Sequence, residues 1–203
     1  MNHATKKEQV LKQYVYQYVE TTHKQLTALR ANKDNLHLPY ALFLFSLIDY
    51  FGLLYRVAYT KQYNKRDKNN FLDFFASSYF PSNENCKGSF LYFVRNGLVH
   101  QIFAKGCGVG TSSLNQLFIE DNLLKDEVGY PIPVLNIEYL DIITESAIKK
   151  FIFDLESDLN SDYIDNLYDM LIVHNYGLND SIELQKEIAN SLNSDKSNIF
   201  KNC

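Results

Sequence analysis

Ala41-Leu42-Phe43-Leu44-Phe45-Ser46-Leu47-Ile48-Asp49-Tyr50-Phe51-Gly52-Leu53-Leu54-Tyr55-Arg56-Val57-Ala58-Tyr59 is the stretch on which the fold turns. It is long enough to suggest a membrane span, yet it carries Ser46, Asp49, Gly52, Arg56 and several Tyr. A bilayer core offers such groups neither water nor partners. A helix buried in a soluble bundle fits better, because its neighbours can supply the partners. Pro39 suits a first helical position, and the apolar run continues from Tyr40 to about Tyr63. This predicts a buried second helix with no membrane partner.

The flanking segments supply the rest of a bundle. Val10, Tyr14, Tyr18 and Leu29 recur at helical spacing between Thr5 and Ala31. That first helix should pack as an antiparallel hairpin against the second, with Asn32 to Leu38 as the turn. A short aromatic helix is expected from Asn69 to Tyr79, stopped at Pro81, and another from Lys87 to Ala104, ended by Lys105-Gly106. Leu117-Phe118-Ile119-Glu120 and Pro133-Val134-Leu135-Asn136-Ile137 read as a small β-hairpin or a pair of extended segments. Helical patterning resumes from Asp141 to Leu159, from Ser161 to His174 and from Asp180 to Leu192. The expectation is a mainly all-α, up-and-down helical bundle with a small β-hairpin-like insertion. It forms a single domain over residues 1–192, the insertion falls at about 106–140, and 193–203 is a loosely held tail.

Composition narrows the function. The 203 residues include 15 Tyr and 14 Phe but no Trp, so the core should be aromatic, with Tyr hydroxyls drawn into polar seams between helices. A net charge of −4 argues against a general polyanion-binding surface. Any nucleic-acid contact must come from a local patch, and Lys61, Lys65, Arg66 and Lys68 around Tyr63 form the best one; a solvated loop has the same composition. Lys105 is a further weak candidate for substrate contact. Cys86, Cys107 and Cys203 fit neither a disulfide framework nor a zinc site, and the first residues lack the apolar core of a signal peptide. A reducing cytoplasm is the expected setting.

The chemistry concentrates in Arg95-Asn96-Gly97-Leu98-Val99-His100. Asn96 and His100 are four apart and share a helical face, so the amide can orient a ring nitrogen of the imidazole. Arg offers forked donors for a phosphate, and an imidazole ordinarily titrates near neutrality, so the pair suits proton transfer beside a phosphodiester. The apolar flanks, Phe90 to Val94 and Leu98 to Phe103, place the trio on a mostly buried helix, where a cation needs a partner or a cleft. A structural Arg bonded to carbonyls and a satisfied core His would also fit this spacing. Asp49, among apolar neighbours, either faces water or turns inward to hold Arg95, His100 or a Tyr hydroxyl. Asp49 and Tyr92 are the candidate supports for the trio. Arg30 and His37 form a second such pair but flank a polar loop.

Other constellations are weaker. Gly106-Cys107-Gly108-Val109-Gly110-Thr111 lacks the Gly-Lys-Ser/Thr ending of a phosphate loop and reads as a flexible exit from the motif helix, placed to line the same cleft. Cys107 beside His100 suggests a thiol nucleophile, against which stands an ordinary buried Cys. The five His are scattered, so no metal site is expected. Asp154, Glu156, Asp158, Asp162, Asp165 and Asp169 read as a solvated face.

Arg95, Asn96 and His100 together resemble the hallmark of the HEPN superfamily (higher eukaryotes and prokaryotes nucleotide-binding), an Arg followed after four to six residues by a His, often with Asn or Asp directly after the Arg. The resemblance covers the helices from about Thr5 to Ala104 and Asp141 to His174, and residues 106–140 depart from it as an insertion. It implies a metal-independent endoribonuclease acting as a homodimer whose two motifs share a cleft, often as a toxin with a cognate antitoxin or regulatory protein, or as an antiviral effector. His100 would be the general acid or base at the ribose 2′-hydroxyl, Arg95 would stabilise the phosphorane, and Asn96 would orient the His or bind phosphate, with no cofactor. Gly97 would let two motif helices approach closely. The resemblance equally admits a noncatalytic dimerisation or protein-interaction module, or a sensor of a phosphate-bearing ligand.

Overall fold

The computed structural model describes residues 1–64, 67–101, 106–126, 128–157 and 161–174. The chain is mainly helical with one small sheet. The first long helix comprises α1 (His3–Val10), a π-helical turn at Leu11–Tyr16, and α2 (Gln17–Ala31). Asn2 starts it by accepting from the Thr5 backbone N–H at 2.9 Å. The core helix α3 (His37–Thr60) follows. Pro39 is its third residue rather than its first, which costs nothing because the first turn has no N–H partners to lose; the ladder begins with the Tyr40 N–H on the Leu36 carbonyl. This helix has the length and apolarity to cross a membrane. Tyr40, Leu44, Phe45, Ile48, Phe51, Leu54 and Val57 are instead fully buried inside the bundle.

Close packing around α3 depends on Gly52. A Cβ there would sit 2.1 Å from the Asn70 carbonyl oxygen, so only glycine lets α4 (Lys68–Phe75) lie against this helix. Asp67 caps α4 by accepting from the Asn69 N–H at 2.9 Å. Phe71, Phe74 and Phe75 on α4 join Phe45, Phe80 and Phe151 in the aromatic core, with ring centroids 4.7–6.1 Å apart in tilted, stacked and edge-on pairs. Tyr hydroxyls do form the polar seams: Tyr79 donates to Asp154 at 2.8 Å, Tyr14 to the Leu171 carbonyl at 2.9 Å, and Tyr50 to the Tyr14 carbonyl at 2.5 Å. The last bond and the Tyr18–Tyr50 ring stack hold the first two helices together.

The motif helix α5 (Gly88–Gln101) leads to a three-stranded sheet of β1 (Gly108–Gly110), β2 (Phe118–Lys125) and β3 (Pro131–Asn136), in the order β1-β3-β2. β2 and β3 form the expected antiparallel hairpin, with Phe118 opposite Leu135 and Ile119 opposite Val134. The added strand corrects the reading of Gly106–Thr111 as a flexible exit. Gly108, Val109 and Gly110 pair parallel with Val134, Leu135 and Asn136. β1 spans only that end of β3, so Pro131 and Pro133 lie where no β1 residue needs their missing N–H.

Fully buried Asn136 then ties the loop after β1 to the end of β3. Its amide nitrogen donates to the carbonyls of Ser112, Leu114 and Gln116 at 2.8–3.2 Å, and its Oδ1 accepts from the Ser112 N–H at 3.1 Å. Helix α6 (Ile137–Glu156) begins on the next residue, four earlier than the expected Asp141. α7 (Ser161–Leu167) and a π-helical turn at Tyr168–Val173 finish the described chain. The acidic face is partly engaged, since Asp154, Glu156 and Asp165 accept from Tyr79, Tyr16 and Lys6. The expected helix at Asp180–Leu192, the 193–203 tail, Cys203 and Asp158 lie outside the described residues.

Candidate active-site cleft

Burial dictates how α5 presents its motif. Leu91, Val94 and Leu98 are 0–1 % exposed and anchor the helix. Arg95 flanks this apolar stripe and is drawn inward, while His100 lies on the exposed side. Arg95 meets Asp49 of α3: Nε and Nη2 both donate to Asp49 Oδ2, at 2.9 and 2.6 Å. Its Nη1 donates to Asn96 Oδ1 at 3.0 Å, and its guanidinium lies 5.7 Å from the Tyr92 ring centroid. Asn96 therefore steadies the Arg rather than the imidazole. Asp49 is turned inward and paired with Arg95, and Tyr92 underlies the guanidinium.

These groups open onto a cleft of about 650 Å³ whose walls include Asp49, Tyr92, Arg95, Asn96 and His100. Tyr18, Tyr50, Leu53, Ser46 and Asp67 complete it. Tyr18 and Tyr50 stack with centroids 3.7 Å apart and planes inclined by 14°. The cleft is half-buried, not sealed: the Arg95 and Asp49 side chains keep 21 % and 30 % of their surface. Burial raises the Asp49 carboxyl above its ordinary value and outweighs the opposing hydrogen bonds and charge of Arg95. The Tyr18 phenol is raised by burial and by the Asp49 charge, which places its hydroxyl within electrostatic reach of the carboxylate. Arg95 is thus forked and aimed, but half neutralised.

The weaker candidates separate from this cleft. Lys61 caps α3 in the left-handed region at φ 56° and does not line it. Lys65, Arg66 and Lys105 lie outside the described residues. Gly106–Thr111 does not line the cleft either, and Gly97 is buried within the chain's own packing. Cys107 is buried and its thiol pushed up to about 11, chiefly by desolvation, which disfavours the thiolate at neutral pH. Arg30, assigned to the edge of a polar loop, instead bridges α2 to α6. Its Nε and Nη2 reach Asp141 at 2.6 and 2.8 Å, Nη2 also reaches Glu145 at 2.5 Å, and Tyr40 donates to Asp141 at 2.6 Å.

Tyr18, Tyr50, Ser46 and Asp67 had not been singled out as site residues. Asp67 carried a usable signal as an Asp just before a predicted helix, the N-cap pattern. The two tyrosines occupied ordinary core-facing positions, and only the tertiary stack makes them a wall. Comparison with known proteins found no matching family model, no similar curated protein and no similar solved structure.

Proposed function

We propose that this chain is a metal-independent endoribonuclease of HEPN type, acting as a cytoplasmic homodimer on RNA that enters the α5 cleft. The supporting observation is that Arg95, Asn96 and His100 line one cleft, with the Arg95 fork set by Asp49, Asn96 and Tyr92. In the proposed reaction the ribose 2′-hydroxyl attacks the adjacent phosphorus in line. His100 takes its proton, the P–O5′ bond breaks, and the 5′-oxygen leaves protonated by the facing copy's imidazole or by water. Arg95 meets the charge that builds on the equatorial oxygens. The products are a 2′,3′-cyclic phosphate and a 5′-hydroxyl, and the nucleophile belongs to the substrate. A toxin or antiviral effector with a cognate antitoxin or other regulator is the biological setting this reading carries.

The test is cleavage of mixed RNA in excess EDTA by wild type beside His100→Ala, with product ends analysed. Cleavage by wild type alone, leaving cyclic phosphates, is expected. His100 is exposed and makes no hydrogen bond among the described residues, so the variant should keep its fold. Wild type inactive while folded and dimeric would overturn the reading.

One observation favours a second reading, a noncatalytic interaction module. Phe90 and Phe93, neighbours on one face of α5 with ring centroids 6.4 Å apart, are 37 % and 47 % exposed, and Asp49 already occupies the Arg95 fork. Such a face suits a partner helix.

A further inference from the structure

The cleft has an aromatic side and an acceptor that the proposed cleavage does not use. Tyr18 and Tyr50 form a stacked ring pair in its wall, and a wall of tyrosine beside a cation is what an unpaired base and its phosphate require. Both Arg95 bonds to Asp49 converge on Oδ2. No hydrogen bond among the described residues ends on Oδ1. A carboxylate accepts only, so it selects among bases by where their donors stand. Guanine presents two adjacent donors, N1–H and an N2 amino hydrogen. Adenine and cytosine set one amino group beside a ring nitrogen that a carboxylate repels, and uracil flanks its single N–H with two carbonyls.

We propose that the cleft is a guanine-reading subsite, with the base against the Tyr18–Tyr50 wall and its N1–H and N2–H edge on Asp49. Cleavage then falls on the 3′ side of guanosine. Arg95 and His100 are separated by a rise of about 7.5 Å along α5, which lets one nucleotide set its base at Asp49 and its 3′-phosphate between the Arg95 Nη1 donor beside Asn96 and His100. The cleft of about 650 Å³ has room for a nucleotide. The choice of cleavage position rests on the ribonuclease reading; base selection does not.

The test is calorimetric titration of the intact protein with 3′-GMP, 3′-IMP, 3′-AMP and 3′-UMP, alongside mapping of RNA cut sites. For 3′-GMP, binding about tenfold or more tighter than for 3′-AMP is expected, the worth of one hydrogen bond to a charged group. The inosine nucleotide, which keeps N1–H but lacks the amino group, should fall between them. Asp49→Asn should abolish the preference, and Tyr18→Leu should weaken all four by a similar factor. Equal affinities, no binding, or a guanine preference that survives in Asp49→Asn would overturn the proposal. The IMP comparison uses wild type and so does not depend on any variant folding. RNA cut after all four nucleotides would sink the subsite and leave the ribonuclease standing; selective 3′-GMP binding without cleavage would do the reverse.

Discussion

Replacing Asn136 should loosen the loop at Ser112–Gln116 from the end of β3, and the cost follows from its bonds. The amide nitrogen has two hydrogens for three carbonyls at 2.8–3.2 Å, so it makes two full bonds, one of them shared; Oδ1 accepts a third from the Ser112 N–H. At about 1 kcal/mol net for each of three bonds, Asn136→Ala should cost about 3 kcal/mol. Ser113 to Gln116 are exposed, so water can reach part of the vacated site and keeps the loss near that figure rather than above it. In a chain of this size that corresponds to a melting point about 6–12 °C lower. Asn136→Asp has the same shape but turns acceptors toward three carbonyls and buries a charge, so it should be less stable still at neutral pH. Thermal and urea denaturation followed by circular dichroism measure both. An Asp variant as stable as the Ala variant at pH 7 would refute the assigned bonding, because a carboxylate oxygen set among three carbonyls is repelled where a vacated site is not.

Gly52→Ala should be far more damaging than its size suggests, since the new Cβ would meet the Asn70 carbonyl oxygen at 2.1 Å and backbone cannot yield there. A loss of about 3 kcal/mol or more is expected, and a melting point unchanged from wild type would contradict the α3–α4 approach. For Asp49, burial holds the folded carboxyl above its ordinary 3.8. The folded chain therefore keeps this proton to a higher pH than the unfolded chain, and the contribution declines as pH rises from 3.8 through the raised value, then levels off. Asp67, Glu145 and Asp165 are lowered, chiefly by hydrogen bonds, and slope the other way. The informative quantity is thus the stability of wild type minus that of Asp49→Asn, measured by urea denaturation from pH 4 to 7. It should fall with pH, and a rise would show that Arg95 outweighs burial.

Helices were legible where one residue class settled the matter. The interruptions in Ala41–Tyr59 that argued against a membrane are the groups that find partners in the fold: Asp49 holds Arg95, Arg56 reaches Asp67 at 2.6 Å, and Gly52 admits α4. The hairpin was legible from its two apolar runs. β1 was not, because Gly-Val-Gly has a single strand-forming side chain and becomes a strand only through parallel pairing with distant β3. Arg30 looked like a loop residue for a related reason. Its partners Asp141 and Glu145 lie more than a hundred residues away, and no local pattern links them.

The cleft shows the same division between local and long-range information. Arg95, Asn96 and His100 were readable because one helix carries all three, but spacing implied a partnership between Asn96 and His100, whereas packing joined Asn96 to Arg95. The difference has chemical weight. The exposed His100 imidazole makes no hydrogen bond among the described residues, while the cation is already held by a carboxylate, an amide and a ring. A phosphate approaching Arg95 must share it with Asp49, and Nη1, bound only to neutral Asn96, is the donor most readily surrendered. The proposed cleavage therefore requires a ligand that gains elsewhere what Asp49 withholds at the fork. The proposed guanine, lying against Tyr18 and donating to Asp49, would make that gain, because it would turn the competing carboxylate into part of the binding site.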